Sequence, residues 1–206
     1  MISDIAIAEN IQRLISNRDT ANDSYISLEN HVYDGVRYIT FTGMDNATFR
    51  ESYTFATFMS DLLGLDDRKE TWMNPHFMMD WEAVKPFVMD CIDDDEKTPI
   101  VLSGHGVAGS VALMAGYYLT KTHKNLRRVV TFGAPPSLNY NKKNDYYFQL
   151  LQHASNQYVL KNDVMPKMFK WTKYTSANRT VLDMRGGPCG ISCYIDAMGI
   201  GDGGLL

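Results

Sequence analysis

The part of this sequence best suited to chemistry is a glycine-rich turn at residues 104–109, between two apolar segments. The run 99–103 predicts a short buried strand, and an apolar helix follows from about Ser110. A strand that turns sharply into a helix can hold a nucleophile above a sheet, or offer backbone N–H groups to an anion. The nucleophile-bearing version has the pattern G-x-S-x-G, but here the third residue is Gly106 and the fifth is Ala108. The turn is therefore present without its serine.

Helices and strands alternate around this turn. Apolar residues at helical spacing predict helices at 4–17, 55–63, 76–92, 110–122 and 144–153. The predicted strands are the arms of a hairpin at 31–41, which turns at Asp34-Gly35, then 99–103, 129–132, 157–161 and 180–184, before a glycine-rich tail. Such alternation implies right-handed βαβ units, so we expect an α/β fold with a mostly parallel sheet, in one domain over residues 1–206.

Five segments resemble the class 3 (fungal-type) lipase family in their order and spacing. They are Phe41–Gly43, Pro75–Phe77, Gly104–Gly109, Thr131–Pro135 and Asn162–Pro166. They resemble, in turn, that family's F-R-G-T oxyanion strand, its H-x-G-F segment, its G-H-S-L-G-G elbow, its T-F-G-x-P strand and the N-x-D-x-V-P loop that holds its catalytic acid. The resemblance covers roughly residues 25 to 195. It implies an α/β-hydrolase-type fold, with a mostly parallel sheet flanked by helices.

The resemblance also assigns positions to a catalytic triad. Gly106 stands where the family has its nucleophilic serine, and Asp163 matches the acid. The family's histidine follows the acid, usually in a segment like H-x-x-Y near the C-terminus. The histidines of this chain are at positions 31, 76, 105, 123 and 153, all of them before the acid. The nearest local match is Cys193, in Ser192-Cys193-Tyr194, and a thiol cannot shuttle protons as imidazole does unless its pKa is strongly shifted.

Met44 occupies the position at which the family usually has Thr or Ser in its oxyanion hole. The backbone N–H groups of Met44 and Val107 can still point at a carbonyl oxygen, because these donors do not depend on the side chain. Without a nucleophile and a base, such an oxyanion hole can bind a carbonyl oxygen but has little means of catalysing acyl transfer. We therefore expect a catalytically inactive lipase-like protein that serves as a binding, structural or assembly component, with protein partners or a lipid or acyl ligand. The pocket above Gly106 could be filled by the side chain of Met44, Met165 or Tyr194. In that case it would bind no ligand, and the fold would serve only as a scaffold.

A divergent esterase or lipase is the alternative, and it would hydrolyse carboxylic esters with another nucleophile. Its candidate nucleophiles are Ser103, Ser110 and Cys193. Its candidate bases are His105 and His153. Such an enzyme needs a nucleophile and a base within hydrogen-bond reach of each other, roughly 2.6–3.2 Å.

A remoter alternative is a dinucleotide-binding protein, because Gly104-x-Gly106-x-x-Gly109 fits the pattern G-x-G-x-x-G. That site needs an acid about 20 residues further on to hold the ribose. The tip of the next predicted strand, residues 132–134, offers none. The sequence therefore favours the lipase-like interpretation, and we expect no cofactor.

Composition and charge exclude other classes of protein. The 206 residues carry a net charge of −4, which argues against a general nucleic-acid binder. The longest mostly apolar run, 111–119, is too short to cross a bilayer. Residues 1–10 carry Asp4 and Glu9 where a signal peptide would carry positive charge. We therefore expect no transmembrane segment and no export.

The cysteines are three in number: Cys91, Cys189 and Cys193. An odd number excludes a complete disulfide framework, so we expect free thiols and a cytoplasmic location. Cys189 and Cys193 lie four residues apart, and no second pair of Cys or His accompanies them. We therefore expect no metal site.

Overall fold

The computed structural model describes residues 2–17, 26–43, 74–93, 97–122, 124–139, 145–163, 165–167, 174–175, 178–183 and 190–202. Its helices are α1 (Asp4–Ser16), α2 (Pro75–Asp93), α3 (Gly106–Lys121), α4 (Tyr146–Ala154) and α5 (Ile191–Asp202), and a short 3-10 helix covers Met165–Lys167. Its strands are β1 (Ile26–Tyr33), β2 (Val36–Gly43), β3 (Ile100–His105), β4 (Leu126–Phe132), β5 (Leu138–Asn139), β6 (Ser155–Leu160), β7 (Tyr174–Thr175) and β8 (Arg179–Leu182).

Six of these strands form one sheet in the order β1-β2-β3-β4-β6-β8. β1 and β2 form an antiparallel hairpin, and the turn residues Asp34 and Gly35 both have positive φ, as a tight two-residue turn requires. All other neighbouring strands in this sheet run parallel. β5 and β7 make a separate antiparallel pair. The predicted α/β-hydrolase-type, mostly parallel sheet is therefore confirmed.

Helices cover both faces of the large sheet. One face packs against α2, α3 and α4, in a core that includes Trp81, Leu102 and Phe148. The other face packs against α1 and α5, in a core that includes Ile11 and Tyr194. Because both faces are covered, the central strand β3 is buried along most of its length, which explains its nearly continuous apolar sequence.

Most predicted elements agree with the structure to within a few residues. The helices predicted at 4–17, 76–92 and 144–153 are α1, α2 and α4. The helix after the glycine turn begins at Gly106 rather than near Ser110, so it includes the second half of the turn. The helix predicted at 55–63 and the residue Met44 lie outside the described residues.

The C-terminal helix α5 lies in the glycine-rich tail, in which the sequence analysis predicts no helix. Ile191, Tyr194 and Met198 recur at helical spacing along it and are buried in the core beside α1. The glycines of this segment have a low helix propensity, so the sequence did not predict a helix here. The packing of the three large side chains outweighs that low propensity. No helix within the described ranges is long and apolar enough to span a membrane.

Candidate functional site

The glycine turn has the backbone of a nucleophile elbow. β3 ends at His105, which is extended, and α3 begins at Gly106, whose φ is +56°. This left-handed conformation favours glycine and strains other residues. A Cβ on Gly104 would lie 2.7 Å from the carbonyl oxygen of Ala108, so the strand and the helix approach too closely for any side chain there. The sharp turn predicted from the sequence is confirmed, and Gly106 lies at its apex.

Three neighbouring parallel strands bring the candidate residues to one edge of the sheet. β3, β4 and β6 lie side by side and run in the same direction. Gly106 follows β3, Gly133 follows β4 and Asp163 comes shortly after β6. Because carboxyl ends of parallel strands meet at one edge, Gly106 and Asp163 lie at the same end of the sheet. This is the edge at which open α/β sheets bind ligands.

Asp163 is buried, and both of its carboxylate oxygens accept hydrogen bonds. The backbone N–H of Met165 donates to Oδ1 at 2.9 Å. The hydroxyl of Tyr194, from α5, donates to Oδ2 at 2.5 Å. The structure therefore gives Asp163 a tyrosine as its side-chain partner.

Gly133 makes room for this hydrogen bond. Its φ is +61°, and a Cβ there would lie 2.7 Å from Oδ2 of Asp163 and 2.8 Å from the hydroxyl oxygen of Tyr194. Its backbone N–H donates to the carbonyl oxygen of Tyr158, which fixes it beside β6. A side chain at this position would push the carboxylate and the tyrosine apart.

Tyr194 also contacts the elbow. Its ring meets the ring of His105 edge-on, with centroids 6.0 Å apart, and meets Phe132 in the same manner at 5.9 Å. The backbone N–H of Leu160 donates to its hydroxyl oxygen. Burial, followed by the nearby charge of Asp163, raises the pKa of Tyr194 well above its usual value of 10.0. Tyr194 is therefore a neutral hydrogen-bond donor at every physiological pH.

His105 is next to the elbow but is not arranged as a catalytic base. Its Nε2 is buried and has no hydrogen-bond partner. Burial lowers the pKa of His105 from 6.5 to about 4, so the ring is neutral at pH 7. None of the hydrogen bonds among the described residues joins it to Asp163 or to a serine.

The alternative nucleophiles have other partners. The hydroxyl groups of Ser103 and Thr40 are hydrogen-bonded to each other at 3.0 Å. The hydroxyl of Ser110 donates to the carbonyl oxygen of Pro135 at 2.8 Å. His153 is exposed in the last turn of α4. In the part of the chain that the structure describes, no serine is paired with a histidine.

Cys193 forms a disulfide, so the prediction of free thiols is wrong at this position. An odd number of cysteines leaves at least one unpaired but does not exclude a disulfide, and the free thiol is that of Cys91. The partner of Cys193 lies outside the described residues, where Cys189 also lies. Cys193 is therefore unavailable as a nucleophile or base while the disulfide is intact, and the argument from free thiols to a cytoplasmic location loses its basis.

The oxyanion-hole prediction concerns Met44 and Val107. Val107 is the second residue of α3, so its N–H group has no acceptor within the helix. β2 pairs with β3 through Phe41 opposite Gly104, which places the end of β2 beside the elbow. Met44 follows directly after β2 but lies outside the described residues. The role of both N–H groups stays a prediction.

The strand order argues against a dinucleotide site. Such sites lie where the strand order of a sheet reverses direction. Here β2, β3 and β4 follow one another across the sheet in chain order, so no reversal occurs at the turn after β3. Among the described residues, no group of three or more His, Cys, Asp or Glu side chains could hold a metal ion.

Sequence reasoning missed Gly133 and treated Tyr194 only as a side chain that could fill the pocket. Gly133 belongs to the recognised segment Thr131–Pro135, but only its distance to Asp163 reveals its role. The role of Tyr194 could have been found from the sequence, because the family's histidine segment, H-x-x-Y, also ends in tyrosine. Its contacts with Asp163 and His105 place it beside both the acid and the elbow.

Comparison with known proteins agrees with the resemblance to class 3 lipases. The sequence model described as Lipase (class 3) matches residues 30–173. No curated protein sequence matches the chain. Similar solved structures include a lipase from Rhizopus microsporus var. chinensis, with 18% identity, a TM-score of 0.53, and coverage of 80% of this chain and 59% of that one.

Two further fungal enzymes have similar folds. Lipase II from Rhizopus niveus is 16% identical, with a TM-score of 0.56 and coverage of 90% of this chain and 82% of that one. The mono- and diacylglycerol lipase from Aspergillus oryzae is 16% identical, with a TM-score of 0.58 and coverage of 81% and 67%. The chain spans only about three fifths of the length of the Rhizopus microsporus lipase, 59%, and of a similar Penicillium cyclopium protein, 64%. At these identities the likeness shows the fold.

Proposed function

Because the chain belongs to the class 3 lipase family, we propose that it is a catalytically inactive member of that family and acts as a binding, structural or assembly component. The observation that carries this proposal is the backbone of Gly106. It has the left-handed conformation of an elbow, with φ +56°, but no side chain to attack an ester. The geometry that would display a nucleophile is kept, while the nucleophile is absent.

Glycine at this position also has a physical advantage once catalysis is lost. A residue other than glycine in a sparsely populated conformation costs about 1–3 kcal/mol, which a nucleophile elbow tolerates for the sake of its reaction. Glycine adopts positive φ with almost no cost. Replacement of the serine by Gly106 therefore relieves strain and removes any selective reason to keep the base.

The base is missing as well, and its former position is better assigned to Ile191 than to Cys193. If Tyr194 matches the tyrosine of H-x-x-Y, the histidine position falls three residues earlier, on Ile191. Ile191 is buried in the core beside α1 and cannot accept a proton. This register is supported by the hydrogen bond from Tyr194 to Asp163, since it places the segment next to the acid. Two independent substitutions, at Gly106 and Ile191, then separate this chain from an active lipase.

Binding can survive these losses. The N–H group of Val107 at the start of α3 stays free of helical acceptors and can receive a carbonyl oxygen or an anion. A lipid or acyl ligand, or a protein partner, would use this edge of the sheet without being hydrolysed.

An assembly role predicts that the protein isolated from its native source elutes in a complex well above its own mass of 23.4 kDa. Elution as a monomer under those conditions would argue against that role.

The loss of activity is tested by ester turnover. The purified chain is incubated with p-nitrophenyl butyrate and p-nitrophenyl palmitate, and a heat-treated sample serves as the control. We expect equal release of p-nitrophenol in both samples, because none of the described residues forms a serine–histidine pair. Saturable turnover above the control would support the divergent-esterase alternative instead.

A further inference from the structure

We propose that Asn178 is an N-glycosylation site, and that the chain passes through an oxidising secretory compartment in which the glycan is attached. Asn178-Arg179-Thr180 fits the acceptor pattern N-x-S/T, in which the middle residue is not proline. The same pattern occurs at residues 22–24 and 46–48, but both segments lie outside the described residues. So short a pattern also arises by chance, so its place in the fold and the redox state of the chain decide whether it is used.

Asn178 lies at the surface, in a bend directly before β8. Asn178, Arg179 and Thr180 are all exposed. The carbonyl oxygen of Asn178 accepts a hydrogen bond from the backbone N–H of Gln157 at 3.1 Å, which anchors its main chain beside β6. Its side-chain amide makes no hydrogen bond with another described residue. The main chain is therefore held in place while the amide nitrogen is accessible.

The edge of the sheet leaves room for a bulky glycan at this point. β8 is the last strand of the large sheet, and β6 is its one neighbour among the described strands. Val181, the third residue of β8, has 66% of its surface exposed. Edge strands can pair with the edges of other chains, and proteins commonly cover or block them. A glycan on Asn178 would lie beside this edge and shield it, without displacing a packed side chain.

The disulfide of Cys193 is a second, independent feature. Cys193 lies in the first turn of α5 and is disulfide-bonded. Disulfides form and persist in oxidising environments such as the lumen of the endoplasmic reticulum, whereas thiols in the cytosol are kept reduced. N-glycans are attached in that same lumen. The acceptor pattern and the disulfide therefore indicate one compartment, in place of the cytoplasmic location expected from the cysteine count.

The chemical step is the transfer of an oligosaccharide from a lipid pyrophosphate carrier by an oligosaccharyltransferase. The side-chain nitrogen of Asn178 attacks the anomeric carbon of the oligosaccharide. A C–N bond forms, the C–O bond to the pyrophosphate breaks, and the nitrogen loses one proton as the lipid pyrophosphate leaves. The hydroxyl of Thr180 is the part of the pattern that the transferase requires, so serine can replace it but valine cannot.

The site is tested on the full chain isolated from its native source. Peptide N-glycosidase in heavy-oxygen water converts each glycosylated asparagine into a heavy aspartate, which peptide mass spectrometry locates. We expect the heavy label at position 178 in the treated sample and no label in a sample incubated without the enzyme. Unmodified Asn178 in both samples, or a label confined to the patterns at 22–24 and 46–48, would overturn the proposal.

Two variants test whether the modification depends on the acceptor pattern. The full chain is fused to a signal peptide, secreted from cultured animal cells and analysed in the same way. Thr180→Val keeps the shape of the side chain but removes its hydroxyl, so labelling at position 178 is expected to be lost. Thr180→Ser is the matched control and should keep the label, and both variants should fold because position 180 is exposed. Equal labelling of the two variants, or no label in the secreted chain without substitutions, would contradict the proposal.

Discussion

The hydroxyl of Tyr194 donates a 2.5 Å hydrogen bond to Oδ2 of Asp163, in a buried position at the carboxyl edge of the sheet. Gly133 lies so close to both groups that it has no room for a Cβ. These contacts join the end of β4, the loop after β6 and the helix α5. Asp163, which matches the position of the family's catalytic acid, therefore contributes to the structure of the fold.

Tyr194→Phe is expected to destabilise the protein by about 1.5–3 kcal/mol, because a hydrogen bond to a buried carboxylate is lost. The measurement is the free energy of unfolding from urea denaturation. Tyr118→Phe is the matched control, since the hydroxyl of Tyr118 makes no hydrogen bond with another described residue, and its effect should stay within about 0.5 kcal/mol. Equal losses in the two variants would show that the Asp163 contact contributes nothing specific.

Gly133→Ala should be more destabilising than Gly35→Ala. Both glycines have positive φ, at 61° and 70°, so both variants carry backbone strain of about 1–2 kcal/mol. Only at Gly133 does the new methyl group also meet Asp163 and Tyr194, while nothing lies within 4 Å of a Cβ at Gly35. Crowding is expected to add about 1–3 kcal/mol, measured as the difference in unfolding free energy between the variants. A smaller loss at Gly133 than at Gly35 would contradict the packing described here.

His105 should make the protein less stable as the pH falls. Its pKa is lowered to about 4 in the folded protein, by burial, from 6.5. Between these values the unfolded chain binds a proton that the folded chain does not, so stability is lost as the pH drops from about 6.5 towards 4, by on the order of 2 kcal/mol. Urea denaturation at pH 7 and pH 4.5 measures this loss.

His105→Phe keeps an aromatic ring against Tyr194 but cannot take up a proton. The variant should therefore lose less stability than the native protein between the same two pH values. An identical loss in both proteins would assign the acid sensitivity to other groups.

Restoring the triad should require two changes. Gly106→Ser alone is expected to show no ester hydrolysis, because no general base accompanies the new hydroxyl. Ile191→His alone has a base without a nucleophile and should be equally inactive. We expect p-nitrophenyl butyrate turnover above background only in the double variant. Activity of Gly106→Ser by itself would mean that another residue acts as the base.

The sequence was sufficient to predict the fold and the elbow. The five segments that resemble the class 3 lipase family predicted the sheet, and the glycine pattern at 104–109 predicted the sharp turn, at which Gly106 has positive φ. Helix α5 was missed because its glycines interrupt the local pattern, although Ile191 and Tyr194 are at helical spacing.

Relations between distant segments could not be predicted in the same way. The partner of Asp163 comes from 31 residues further along the chain, and the role of Gly133 depends on a contact with both. The disulfide of Cys193 does not follow from the cysteine count, because an odd number shows only that at least one thiol stays unpaired. Each of these features depends on tertiary packing, which periodicity and spacing do not encode.

Labelling with a fluorophosphonate probe, followed by peptide mass spectrometry, tests the proposed loss of catalysis most directly. The probe reacts with serines that a nearby base activates, and it needs no knowledge of the natural substrate. With glycine at the elbow and no serine–histidine pair among the described residues, we expect no labelled peptide above a heat-treated control. A stoichiometric label on any serine, Ser103 and Ser110 included, would contradict the claim that this lipase fold has lost its reaction.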